Sequence, residues 1–214
     1  MVSQANPSLF KSFMDSGDNQ HSTEEKGLDL SSRELLNMSA ASLVFYLFIA
    51  TILFYFFHQT SLFNAFSHGV EWYYQLLVGL AAGVVASGVI VFFSSRKPMG
   101  PILDDFAIFK IIKNTEFTWG DRIQISFFAG VGEELLFRGA IQPLIGIWVT
   151  SAVFVAIHGY ISFKSVGHIL FTALLFALSM MLGVLYETAG LLSAMTAHSV
   201  YDFLMLWWVK GRKE

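Results

Sequence analysis

The chain has 214 residues, of which 55% are hydrophobic and 14% are charged, and its mean hydropathy is +0.59. Soluble domains are about 45–50% apolar and about 25% charged, so this composition indicates an integral membrane protein. The absence of cysteine excludes disulfides, thiol catalysis and thiolate metal sites. The net charge of −3 argues against nucleic acid as a partner, because nucleic acid requires a basic surface.

Six apolar runs approach the length of about 20 residues that a membrane-spanning helix needs. They cover residues 41–57, 76–93, 122–142, 144–158, 166–186 and 190–209. Pro143 separates the third run from the fourth, because proline ends or kinks a helix, and Gly190 separates the fifth from the sixth. The sequence therefore predicts an all-α polytopic bundle of about six transmembrane helices. We expect the first run to be a retained helix, since no small-residue cleavage pattern follows it.

Basic residues are concentrated in one set of loops. With the N-terminus in the cytoplasm, nearly all Lys and Arg residues fall in the segments on the inside, which are 1–40, 94–121, 159–165 and 210–214. We therefore predict that both termini are cytoplasmic. The predicted organisation is a polar cytosolic segment at 1–40, a transmembrane domain at 41–209 and a basic cytosolic tail at 210–214.

Three shorter patterns lie outside or between these runs. Residues 1–34 are polar, and we expect them to be disordered. Residues 102–113 predict an amphipathic helix that lies on the inner membrane surface or packs on protein, with neither alternative favoured. Gly79 and Gly83 form a GxxxG pattern that allows close helix contact, within the chain or between chains. His58, His68 and His168 are expected at the membrane interface, in loops or at helix ends.

Ionisable side chains within membrane helices cost roughly 2.5–3.5 kcal/mol each and therefore indicate function. Away from their ends, the predicted helices contain six of them: Glu133, Glu134, Arg138, His158, His198 and Asp202. Glu134 and Arg138 are four residues apart, so they share a helix face and can form an ion pair that braces the site. Glu133 lies about 140° away from Arg138, at about 100° per residue. Glu133 is thus left without a partner on its own helix, which suits a general base.

The histidines come from two other helices. His198 and Asp202 share one face, and an aspartate can orient a histidine and select its tautomer. Phe154 precedes His158 by one turn and can pack against its ring. Counted from the cytoplasmic side, Glu133, His158, His198 and Asp202 lie at depths between roughly 9 and 18 Å. The sequence therefore predicts that a carboxylate and two imidazoles meet, although interhelical hydrogen bonding alone would also explain the histidines.

Three motifs carry a resemblance to a known family. Residues 133–138, EELLFR, resemble the EExxxR motif of the CPBP (Abi) family, which comprises CAAX proteases and bacteriocin-processing membrane proteins. Residues 154–158, FVAIH, match its FxxxH motif, and residues 198–202, HSVYD, match HxxxN or HxxxD. The order and spacing also fit, and the resemblance covers about residues 120–209.

The resemblance implies an intramembrane endopeptidase related to the type II CAAX prenyl protease. Glu133 and His158 would then activate the attacking water, while His198 and Asp202 would stabilise the oxyanion. The eukaryotic enzyme carries Asn where this chain carries Asp202, and an ionised carboxylate cannot donate a hydrogen bond. Asp202 must therefore be protonated or act through His198.

Other readings remain open at the level of sequence. A carboxylate with two imidazoles is also a Zn²⁺ ligand set, with Glu133, His158 and His198 as candidates, although the HExxH pattern is absent. The expected partners are the lipid bilayer and a membrane-anchored protein or peptide substrate, in a bacterial cell membrane where prenylated substrates are not expected. One alternative is a non-enzymatic bacteriocin-immunity factor. A proton-coupled transporter is less favoured, because no inverted repeats are present.

Overall fold

The computed structural model describes residues 30–212, and within that range the chain is helical and contains no strand. The α-helices of this range are α1 (Ser32–Leu53), α2 (Trp72–Ser94), α3 (Ala107–Asn114), α4 (Trp119–Glu134), α5 (Gln142–Ile157), α6 (Val166–Thr188) and α7 (Leu191–Gly211). The π-helical turn Phe54–His58 extends α1, and a second π-helical segment, Leu135–Ile141, joins α4 to α5. Short 3₁₀ turns lie at Leu62–Phe66 and Gly100–Asp105. The predicted all-α class is confirmed.

Four helical stretches in residues 30–212 are long and apolar enough to cross a membrane: Ser32–His58, Trp72–Ser94, Trp119–Ile157 and Val166–Thr188. They contain five of the six predicted spans, because Trp119–Ile157 includes two. Helix α7 is not among them, so the count of six and the cytoplasmic placement of the termini stay predictions. Large apolar side chains point outward, including Phe63 at 81% exposure and Tyr55 at 70%. Such a surface suits lipid as the surrounding solvent.

The break between the third and fourth predicted spans is not at Pro143. Pro143 lies in the first turn of α5, directly after the π-helical segment, and the residues before it keep helical backbone angles. The kink falls at Gly146, whose backbone angles are φ 79° and ψ 162°. Only glycine adopts these angles readily, because it has no Cβ.

Helix α1 begins at Ser32 rather than near residue 41, so the predicted polar segment 1–40 is partly helical. A capping box explains the early start, since Ser31 accepts from the Glu34 backbone and the Glu34 side chain accepts from the Ser31 backbone. The predicted disorder of residues 1–34 otherwise lies outside the described residues. The last two residues of the predicted tail 210–214 also lie outside them.

The segment 102–113 packs on protein, as one of the two alternatives proposed. Phe109 on α3 is buried, and its ring centroid lies 5.9 Å from that of Phe171 on α6. Phe106 contacts the same ring at 5.1 Å. These contacts place α3 beside α6 and next to the C-terminal half of α7, near the cavity described below.

Helix α7 is the centre of the bundle, because it packs against α2 on one side and α4 on the other. Helix α7 approaches α2 closely at Gly79 and Gly83. A Cβ atom at Gly83 would lie 2.6 Å from the Ala197 carbonyl oxygen, and one at Gly79 would lie 2.5 Å from the Ser193 oxygen. The GxxxG pattern therefore serves contact within the chain. This contact fixes the position of α7, which carries His198 and Asp202.

Replacing Gly83 with alanine should weaken this contact. We expect Gly83→Ala to destabilise the protein by about 1–3 kcal/mol, because backbone atoms of α7 would have to move. The measurement is the thermal unfolding midpoint of the full chain purified in detergent. Gly88→Ala on the same helix is the control, since no described atom lies within 4 Å of its added Cβ. Equal midpoints for the two variants would contradict the assignment of Gly83 to a tight contact.

Candidate active site

The structure brings the predicted site residues to one point from α4, α5 and α7. The Glu133 carboxylate oxygen Oε2 lies 3.4 Å from His158 Nε2 and 3.8 Å from His198 Nε2. Asp202 Oδ2 lies 3.5 Å from the same His198 nitrogen. Glu133 and His198 are buried, whereas His158 and Asp202 are half-buried. The predicted meeting of a carboxylate with two imidazoles is therefore present, while the chemical roles stay predictions.

The two carboxylate oxygens of Glu134 contact different side chains, one on its own helical stretch and one on α7. Oε2 forms the predicted ion pair with Arg138, 3.2 Å from Nε, and both side chains are fully buried. Oε1 accepts a 2.7 Å hydrogen bond from His198 Nδ1. An ionised carboxylate only accepts, so Nδ1 of His198 carries the hydrogen.

The sequence predicts that Asp202 orients His198, whereas in the structure Glu134 does so. The physical reason is that Asp202, one turn along α7, reaches only the outer nitrogen Nε2 at 3.5 Å. The inner nitrogen Nδ1 faces α4 and is bonded there. His198 is thus held between two carboxylates, with Nε2 directed toward Glu133 and Asp202.

Arg138 links the site to α6. Its Nη2 donates to the Ser179 hydroxyl at 2.9 Å and to the Ser179 carbonyl oxygen at 3.0 Å. Its guanidinium lies 4.8 Å from the Phe154 ring centroid, which is a cation–π distance. Sequence reasoning missed Ser179, because one serine in an apolar helix carries no distinctive signal.

His158 is oriented by its own helix. Its Nδ1 donates to the Phe154 carbonyl oxygen at 2.7 Å, and the two rings lie 4.3 Å apart between centroids. The predicted packing of Phe154 on His158 is confirmed. Because a carbonyl oxygen only accepts, Nδ1 carries the hydrogen, and the lone pair of a neutral His158 points from Nε2 toward Glu133.

A cavity of about 330 Å³ adjoins these groups. Its polar end is formed by Glu133, His158, Tyr160, His198, Tyr201 and Asp202. The remainder is mostly apolar and is formed by α1, α3, α6 and the C-terminal half of α7. Sequence reasoning missed Tyr160, which follows His158 by two residues in the loop after α5 and belongs to none of the three motifs.

Among residues 30–212, no group of three or more His, Asp or Glu side chains is arranged to hold a metal ion. Binding of Zn²⁺ by Glu133, His158 and His198 stays a prediction from the sequence.

The remaining histidines lie at helix ends or in loops, as predicted. His168 is 4% exposed, and its Nε2 lies 3.2 Å from Asp105 Oδ2. It is buried because it lies in the first turn of α6, where Ser165 caps the helix and contacts Nδ1 at 2.9 Å. His58 and His68 lie at helix ends and in loops, as predicted, and bond to backbone oxygens of Ala140 and Glu187.

The apolar helices indicate an integral membrane protein. The family model described as "Type II CAAX prenyl endopeptidase Rce1-like" matches residues 115–204, which include all six ionisable residues. The resemblance carried by the three motifs is therefore confirmed, and the similarity of this segment to that family supports a membrane protease-type function.

A curated relative matches part of the chain. The uncharacterized protein YpbD of Bacillus subtilis (strain 168) is 37% identical over 81 residues, which is 37% of this chain and 41% of the relative. The match thus spans about two fifths of the length of that protein. No solved structure matches the chain significantly.

The buried pair predicts a strong effect of removing one partner. Arg138→Met should destabilise the protein by about 3–5 kcal/mol, because Glu134 would keep a buried charge without its guanidinium. The thermal unfolding midpoint of the purified chain in detergent measures this loss. Lys110→Met, at an exposed position of α3, is the control and should change the midpoint little. A native midpoint for Arg138→Met would show that the pair contributes nothing to stability.

Proposed function

We propose that this protein is an intramembrane endopeptidase that hydrolyses peptide bonds of membrane-anchored proteins or peptides. The observation that carries the proposal is the pair Glu133 and His158, whose facing atoms are 3.4 Å apart at the polar end of an apolar cavity. The family match to residues 115–204 supports the same class of reaction.

The hydrogen bonding of the pair favours a water molecule that lies beside both members. Since His158 Nδ1 donates to Phe154, a neutral His158 offers only an acceptor at Nε2. The Glu133 carboxylate also offers only acceptors, and the distance of 3.4 Å is longer than a direct hydrogen bond. A water molecule can donate to both groups. Glu133 then takes a proton from this water as the water oxygen attacks the carbonyl carbon of the substrate.

His198 is the group proposed to stabilise the oxyanion. Glu134 accepts from its Nδ1, and Asp202 and Glu133 face its Nε2, so an imidazolium satisfies both nitrogens. The Nε2–H group can then donate to the oxyanion of the tetrahedral intermediate. Asp202 needs no proton in this arrangement, because it acts on His198 and not on the substrate.

The second half of the reaction returns the proton. Glu133 gives the proton taken from water to the nitrogen of the leaving amine, and the bond between the carbonyl carbon and this nitrogen breaks. The products are a carboxyl terminus and an amine terminus, and Glu133 is again ionised. Glu134 and Arg138 do not exchange protons in this scheme, because their roles are to position His198 and to neutralise the buried charge.

The apolar part of the cavity supports an apolar substrate segment. Residues of several helices contribute to it, for example Met38 of α1, Ile112 of α3, Leu178 of α6 and Leu206 of α7. Burial of apolar surface there would contribute about 25 cal/mol per Å² to binding before the costs of association. A peptide anchored in the membrane fits such a surface better than a soluble one.

Substitution of the proposed base pair tests the function. Glu133→Gln and His158→Ala should each lower cleavage by at least about 10²-fold, because the first variant has no carboxylate to take the proton from water and the second has no imidazole to accept a hydrogen bond from it. The measurement compares membrane-protein fragments in cells that express the native chain or a variant at equal levels. Glu187→Gln, a carboxylate outside the cavity, is the matched control and should cleave like the native chain.

The proteolytic proposal would be wrong if both variants produced the native set of fragments. Full biological activity in cells with no fragment changes would instead point to a binding role, such as that of an immunity factor.

A further inference from the structure

The polar end of the cavity is rich in acceptors and poor in donors. Glu133 and Asp202 are carboxylates, and His158 directs its Nε2 lone pair inward because its Nδ1–H is bonded to Phe154. His198 Nε2 is then the one donor in the proposed mechanism. Oxyanion sites of acyl-transfer enzymes commonly present two donors, so a second one is needed near Asp202.

Tyr160 is fixed at the wall of this cavity. Its ring is parallel to that of His158, with an interplanar angle of 2° and centroids 6.0 Å apart. The rings of Phe106 and Phe171 contact it edge-on, at 5.9 and 6.2 Å. Its carbonyl oxygen accepts a 2.6 Å hydrogen bond from Thr172, which holds the loop against α6. The side chain is therefore positioned by contacts that do not use its hydroxyl group.

The hydroxyl group of Tyr160 is available as a donor. Within residues 30–212 it makes no hydrogen bond, although the residue lines the same cavity as Glu133, His198 and Asp202. Removal from water raises the pKa of Tyr160 well above its ordinary value, and the nearby charges of Asp202 and Glu133 raise it further. The group thus stays protonated at neutral pH and can donate.

We propose that the Tyr160 hydroxyl donates the second hydrogen bond to the oxyanion, beside His198 Nε2. Tyr160 then supplies the neutral donor that a carboxylate at position 202 cannot supply. No bond forms or breaks at Tyr160, since its O–H group only donates while negative charge develops on the carbonyl oxygen. This inference rests on the proposed function.

The experiment compares Tyr160→Phe with the native chain in lipid nanodiscs. The probe is a synthetic lipid-anchored peptide that spans a cleavage site identified from the fragments that Glu133→Gln abolishes in cells. We expect kcat to fall by about 10²-fold, as for loss of one oxyanion donor, with KM nearly unchanged. The thermal midpoint should stay native, because the hydroxyl has no partner to lose. Tyr186→Phe, a half-buried tyrosine of α6 outside the cavity, is the control.

The outcomes separate the two proposals. A native kcat for Tyr160→Phe, with Glu133→Gln inactive, overturns the role of Tyr160 and leaves the proposed function standing. The same conclusion holds if Tyr201→Phe, at the other tyrosine of the cavity, lowers kcat while Tyr160→Phe does not. If Glu133→Gln changes no fragment in cells, the proposed function fails and this inference fails with it.

Discussion

The carboxylate of Glu134 is the constraint on which the rest of the site depends. It is fully buried, and its two oxygens meet Arg138 at 3.2 Å, four residues along the same helical stretch, and His198 on α7 at 2.7 Å. A buried charge without partners is expensive, so removal of either partner would destabilise the arrangement more than the pair itself stabilises it. Arg138 extends the connection to Ser179 on α6. One side chain therefore ties α4, α6 and α7 together, and close packing of α7 against α2 completes the frame.

In each of the two histidines, one ring nitrogen forms a structural hydrogen bond and the other is left for the proposed chemistry. In His198 the inner nitrogen is committed to Glu134, and in His158 it is committed to the Phe154 carbonyl oxygen. Both outer nitrogens are then directed at Glu133. Because their inner partners differ, the two rings suit different tasks. In the proposed mechanism a neutral His158 accepts from water at Nε2, whereas the carboxylate at Nδ1 of His198 favours its imidazolium form, which donates.

Much of this site could be predicted because the depth of a residue in the membrane can be compared between segments that are distant in sequence. Glu134 and Arg138 follow from a spacing of four, and the meeting of Glu133 with the histidines follows from depth. The bond between Glu134 and His198 could not be predicted, since it depends on how α4 and α7 are rotated about their axes. The π-helical segment Leu135–Ile141 alters this rotation directly after Glu134, and no residue pattern marked it. A kink was predicted at Pro143 because proline commonly kinks helices. Pro143 lies in the first turn of α5, where proline is tolerated.

The role of Asp202 is defined by the hydrogen-bond donors and acceptors around it, and not by the motif alone. At that place an amide could donate to substrate, whereas a carboxylate can only accept, so the motif alone leaves its role undefined. In this chain His198 Nε2 lies 3.5 Å from Asp202, and a donor on this nitrogen satisfies the carboxylate without a proton on Asp202. The carboxylate in turn stabilises the cationic ring. A carboxylate at position 202 therefore does not serve as a donor to the substrate. In the proposed mechanism the donors are His198 Nε2 and the hydroxyl of Tyr160, whose ring lies parallel to that of His158.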